Sequence, residues 1–84
     1  MNTQNLLNER EERYGPFTTH AEITQALKRV MHDTKQWEKL EDYQKEGLEM
    51  IMHKVARALN GDPFYKDDYV DIAGYATLIA NQLE

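Results

Sequence analysis

Two stop clusters, Gly15-Pro16 and Asn60-Gly61-Asp62-Pro63, divide this chain into stretches in which apolar residues recur at steps of three and four. Proline cannot continue a helical ladder, and glycine accepts the left-handed conformation that ends one, so a chain punctuated in this way folds into separate helices. Strand signals are scarce. The spacing predicts four main helices: one from about Thr3 to Tyr14, one opening at Thr19 and running through Met31, one from about Glu41 to Leu59, and one from about Asp67 to Leu83. The expected fold is therefore all-α, a small bundle of about four helices in a single domain spanning residues 1–84. A chain this short buries only about 60 to 65% of the surface its unfolded form exposes, and we expect oligomerisation to complete the bundle.

Within these stretches the apolar positions predict which faces are buried. The first helix carries only Leu6, Leu7 and Tyr14, and is expected to be the least stable element. In the second, Thr19 followed by Glu22 matches a capping box, and Ile23, Ala26, Leu27, Val30 and Met31 form the series expected of one buried face. Trp37 and Leu40 interrupt the following lapse in pattern. Trp37 reads either as a hydrophobic plug or as a surface for stacking a nucleobase. The third helix carries a core stripe of Leu48, Ile51, Met52, Val55 and Leu59, with Glu46, Glu49, His53 and Arg57 beside it. The fourth sets Tyr69, Ile72, Ala76, Ile79 and Leu83 on its apolar face, with Asp68, Asp71 and Tyr75 adjacent. Gly74, in that helix interior, is expected to admit close approach of another helix.

Charge and composition exclude several classes. A net charge of −5 argues against a nucleic-acid binder that works by neutralising phosphates. The absence of cysteine removes disulfides and thiolate metal sites, which suits a reducing cytoplasm. The opening segment, Met1 to Arg13, is polar and charged without the apolar run of a targeting signal, and no stretch approaches a membrane span. No glycine-rich phosphate loop and no nucleophile-elbow serine motif is present.

The acidic residues carry the functional reading. Glu46 with Glu49, and Asp68 with Asp71, are doublets three apart, so each aims two carboxylates from one helix face. Chance alone predicts about 2.6 such pairs at this composition, and the chain has four. Spacing alone is therefore uninformative; context separates these two, which sit beside apolar stripes on strong helices. Packed together, the two helices would converge four carboxylates, the environment a hard cation such as Mg²⁺ prefers. His53, four residues after Glu49, is a candidate general base or ligand, or simply a hydrogen-bond partner of that acid. Lys54, Arg57 and Arg13 are candidates for gripping a triphosphate, or are solvated cations.

The segments Glu-Arg-Tyr14-Gly15-Pro-Phe17, Glu46 to Arg57, Asn60 to Pro63, and Asp68 to Ala76 together resemble a family of small phage and prophage proteins. More distantly, they resemble the all-α nucleoside triphosphate pyrophosphohydrolases of the MazG and dimeric dUTPase type. The resemblance implies an oligomeric helical bundle that uses Mg²⁺, or Mn²⁺, to convert a nucleoside triphosphate to a monophosphate and pyrophosphate in a host-cell cytoplasm. Glu46, Glu49 and Asp71 would match acids of the family's two motifs; Asp68 stands where glutamate is usual and reaches less far. On this reading Glu46, Glu49, Asp68 and Asp71 hold metal, Glu46, Glu49 and His53 serve catalysis, and Arg13, Lys54, Arg57 and Tyr75 bind substrate. The rival reading is a non-enzymatic acidic phage protein whose surface binds and modulates a host protein.

Overall fold

The computed structural model describes residues 2–83; Met1 and Glu84, the ends of the expected single-domain span, lie outside the described residues. The described residues form four α-helices and no strand: α1 (Thr3–Tyr14), α2 (Phe17–His32), α3 (Asp42–Asn60) and α4 (Lys66–Gln82), with a 3₁₀ turn at Trp37–Lys39 between α2 and α3. No helix among them is long and apolar enough to cross a membrane.

The stop clusters act as their chemistry requires. Gly15 ends α1 at φ 79°, and its N–H donates to the Glu11 carbonyl at 2.8 Å. At the second cluster, the Asn60 side chain donates to the Tyr14 and Pro16 carbonyls at 2.8 Å each and accepts from the Thr19 hydroxyl at 2.6 Å. The Asp62 N–H donates to the Arg13 carbonyl at 2.9 Å. The two helix ends are thus tied to each other. A Cβ on Gly15 would collide with the Asn60 carbonyl, and one on Gly61 with the Arg13 carbonyl and the Tyr14 backbone.

Several expected details are corrected by this arrangement. The capping box at Thr19 and Glu22 does not form, because α2 already starts at Phe17 after Pro16, and Thr19 is spent on the Asn60 knot. A capping box does form on α3, where Glu41 and Gln44 satisfy each other's backbone N–H groups. The buried edge of α2 is also rotated from the expected face: Ala26 is exposed, Val30 is 71% exposed, and the buried residues are His20 and Thr24. The cause is polar, since His20 reaches across to His53 of α3.

α3 and α4 pack antiparallel, with Gly47 against Ile79 and Lys54 against Asp71. Gly47 is the close-approach position: a Cβ there would lie 2.6 Å from Ile79 Cδ1. Gly74, expected to have that role, has open space around it within 4 Å. The apolar stripes of both helices are only half-covered, and Leu59, Tyr69, Ala76 and Leu83 are exposed. Trp37 and Ala56 are the apolar side chains that are buried among the described residues. Trp37 fills the plug position of its two readings, with the His32 ring 4.6 Å away and the Lys45 ammonium 5.8 Å from its ring centre.

Candidate functional site

The polar interior lies where α2, α3 and α4 meet. His20 Nε2 is 3.3 Å from both His53 Nδ1 and the Thr24 hydroxyl, and the two imidazoles meet edge to face at 4.7 Å. Asp68 is the most deeply buried polar side chain of the three helices, 2% exposed. Asp68 Oδ2 and His20 Nδ1 are buried without a hydrogen-bond partner, which costs free energy unless charge or proton placement offsets it. Burial holds the His53 imidazole at about 4, against the usual 6.5, and the positive charges of Arg57 and then Lys54 and Lys28 act the same way, as does His20. His20 is lowered by burial and then by Arg57, with Asp68 opposing. Burial raises Asp68, while the charges of Arg57 and Lys54 pull it back.

Arg57 connects this interior to the surface. Its guanidinium lies over the Tyr14 ring at 4.1 Å, and that of Arg13 lies over the Tyr65 ring at 4.7 Å. Both arginines, with Arg10, Tyr14 and the acids Glu9, Glu12 and Asp62, line a groove of about 540 Å³ between the end of α1 and α3, so three cations and three acids share it. That volume is in the range of small-molecule sites. Neither Arg13 nor Arg57 has a carboxylate partner among the ion pairs of the described residues, which are His32 with Glu49 and Lys54 with Asp71. Two guanidinium groups lie on aromatic faces outside the close ion pairs, so their planar forks can turn to phosphate or carboxylate oxygens in competition with the acids of the same groove.

The residues singled out in the sequence are therefore divided among several places. Arg13 and Arg57 come together in the groove. Lys54 instead reaches Asp71, with Nζ 2.8 Å from Oδ2, and its side chain is nearly buried. His53 pairs with His20, while Glu49 is 3.3 Å from His32 Nε2. Glu46 and Tyr75 lie together beside Gly47, Leu78 and Ile79, at another level of the bundle. Among the described residues, no three histidine, aspartate or glutamate side chains gather closely enough to hold a metal ion.

Sequence reading missed His20, Asn60, Tyr14 and Tyr65 as parts of this arrangement. His20 and Thr24 stand four apart, a polar pair inside an otherwise apolar helix, and that spacing was the available signal. The two tyrosines adjoin helix-stop segments, where an aromatic residue can pack back on a neighbouring cation.

A family model described as a domain of unknown function (DUF6378) matches residues 2–83. No curated protein and no solved structure matches the chain.

Proposed function

The chain belongs to the DUF6378 family, a domain of unknown function, and from that premise we propose that it is a helical bundle that grips the phosphates of a nucleoside triphosphate. One observation carries this reading: Arg13 and Arg57, from different helices, line one groove with their guanidinium groups braced on tyrosine rings and in neither of the close ion pairs of the described residues. Charge-assisted bonds to a triphosphate would satisfy both forks. Tyr14 and Tyr65 keep the forks in place, so little side-chain freedom is lost on binding.

Pyrophosphohydrolase chemistry, with Mg²⁺ or Mn²⁺ on Glu46, Glu49, Asp68 and Asp71, requires those four acids to meet. Within one chain they stand at different levels, so geometry supports the binding step rather than the hydrolytic one. The test is a titration of nucleoside triphosphates by calorimetry, with and without Mg²⁺, beside an assay for released pyrophosphate. We expect saturable binding that weakens about tenfold or more in Arg57→Ala, the loss of one charge-assisted contact. No binding of any triphosphate would overturn the reading. Pyrophosphate release abolished by Glu49→Ala would restore the metal-dependent reaction.

We further infer that two copies associate through the outer face of α4. Val70, Gly74 and Leu78 repeat there at steps of four, and together with Asp71, Tyr75 and Thr77 they line a shallow, mostly apolar depression. Val70 and Leu78 are more than half exposed. An apolar strip with a glycine at its middle admits close approach of another helix.

A further inference from the structure

The Asp68/Asp71 doublet of α4 lies opposite Lys54 and Arg57 of α3, not opposite Glu46 and Glu49. With Gly47 packed on Ile79 and Lys54 on Asp71, the antiparallel register sets Glu46 and Glu49 roughly 12 and 8 Å along the α3 axis from the level of Asp71, at 1.5 Å per residue. The residues that lie opposite Asp68-x-x-Asp71 are Lys54-x-x-Arg57. Lys54 Nζ is 2.8 Å from Asp71 Oδ2, and Arg57 is the leading cation acting on Asp68. Lys54 thus pairs directly with Asp71, while Arg57 acts on Asp68 only at a distance and leaves its Oδ2 without a hydrogen-bond partner; the charges of the four groups sum to zero without a further ion.

A divalent cation at this place would need several oxygens at close range, near-octahedral for Mg²⁺. One helix supplies two carboxylates here, and one of them already accepts a bond from the ammonium. The incoming ion would also stand beside Lys54 and Arg57 in a partly desolvated site, where like charges repel more strongly than in water. Glu49 cannot compensate, because it is turned toward His32 on α2.

We infer that Lys54, paired with Asp71 and backed by the charge of Arg57, fills as a built-in cation the position between α3 and α4 that a divalent metal would require, so that the Asp68/Asp71 doublet is a metal-independent, charge-compensated seam. The inference concerns how the α4 acids are neutralised, and it stands whether or not the groove takes a nucleotide. Arg57 then has two duties, balancing Asp68 within the bundle and presenting its guanidinium at the groove.

The test uses Mn²⁺ as the probe, with free ion followed by electron paramagnetic resonance on the full chain. The wild type should show no saturable Mn²⁺ binding that Asp71→Asn removes. Lys54→Glu should create a site, by removing the ammonium and adding a third carboxylate beside Asp68 and Asp71. The gain should be about tenfold or more in Mn²⁺ affinity, the effect of added ligand charge, and Mn²⁺ should raise the thermal midpoint of that variant alone. Saturable binding by the wild type that disappears in Asp71→Asn would overturn the inference, as would a folded Lys54→Glu variant with no gain. Wild-type binding that survives Asp71→Asn supports it, since the doublet then plays no part. Should Lys54→Glu fail to fold, the wild-type and Asp71→Asn titrations decide alone.

Discussion

His53 shows how burial fixes the chemical state of a single residue. Its imidazole is held at about 4 against an ordinary 6.5, so on acidification the unfolded chain takes up a proton before the folded one does. The stability this group contributes is complete above pH 6.5 and is lost as pH falls toward 4. His20, also lowered, acts in the same sense. Asp68 acts oppositely: its raised value favours the folded chain at low pH, and that contribution is lost as pH rises from 3.8 through its folded value. Between pH 6.5 and 4 the histidines make stability fall with falling pH, and Asp68 opposes them. The thermal midpoint should fall across that interval, and in His53→Gln it should fall less steeply; parallel slopes for the two proteins would show that the imidazole is not the source. The same residue illustrates what the sequence hid. Glu49 sits four positions before it and looks like its natural partner, yet the partner is His20 of α2, because two imidazoles meet where α2 leans on α3.

At the level of elements, the junction around Asn60 decides whether α1 belongs to the bundle at all. α1 has no buried residue, so it is attached chiefly by what its last turn offers: the Arg13 and Tyr14 carbonyls and the stacking of Arg13 and Tyr14 on Tyr65 and Arg57. Asn60→Ala removes the two bonds donated to Tyr14 and Pro16 and the one accepted from Thr19, and should cost about 1–2 kcal/mol, the net worth of one or two hydrogen bonds whose partly exposed partners water can partly satisfy. Hydrogen exchange should then quicken in α1 while α3 and α4 keep their protection. Equal loss of protection in all helices would mean that the junction holds the whole fold. Helix existence and the breaks between helices were legible because Gly15-Pro16 and Asn60 to Pro63 are local signals with local consequences, whereas the start of α2 lies at Phe17 and not at the expected Thr19. Helix faces were not. The apolar series on α2 predicts Val30 inside, but the demand of His20 for a partner turns that edge outward. Gly74 has the open space, and Gly47 the contact, because the α3–α4 register is set by side chains far apart in the sequence, such as Lys54 and Asp71.

Over the whole molecule, surface and extent both exceed what the mass requires. A compact monomer of 9.9 kDa exposes about 5,200 Å², whereas this chain exposes 6265 Å². Its radius of gyration is 14.5 Å, against about 12 Å for a compact chain of this length. The excess of about 1,000 Å² is comparable with the roughly 800 Å² that each partner buries in a standard interface. The apolar strip on α4 is the face we assign to it. Leu78→Glu, which would set like charges against each other across a twofold contact, should convert the protein to a monomer in sedimentation and weaken self-association about tenfold or more. A monomeric wild type at high concentration would remove this assignment. The candidate site was legible only in part at this scale: Arg13 and Arg57 stood out as phosphate-binding types, but the shared groove depends on the joint end of two helices. That joint end has a consequence for how the groove changes with sequence. Its wall at Arg13 and Asp62 is made where two backbones touch, with glycines at the closest points. Substitutions in the lining therefore alter the charge and hydrogen-bonding character of the cleft while its wall at this point is kept by the main chain, so that character can change without refolding the frame.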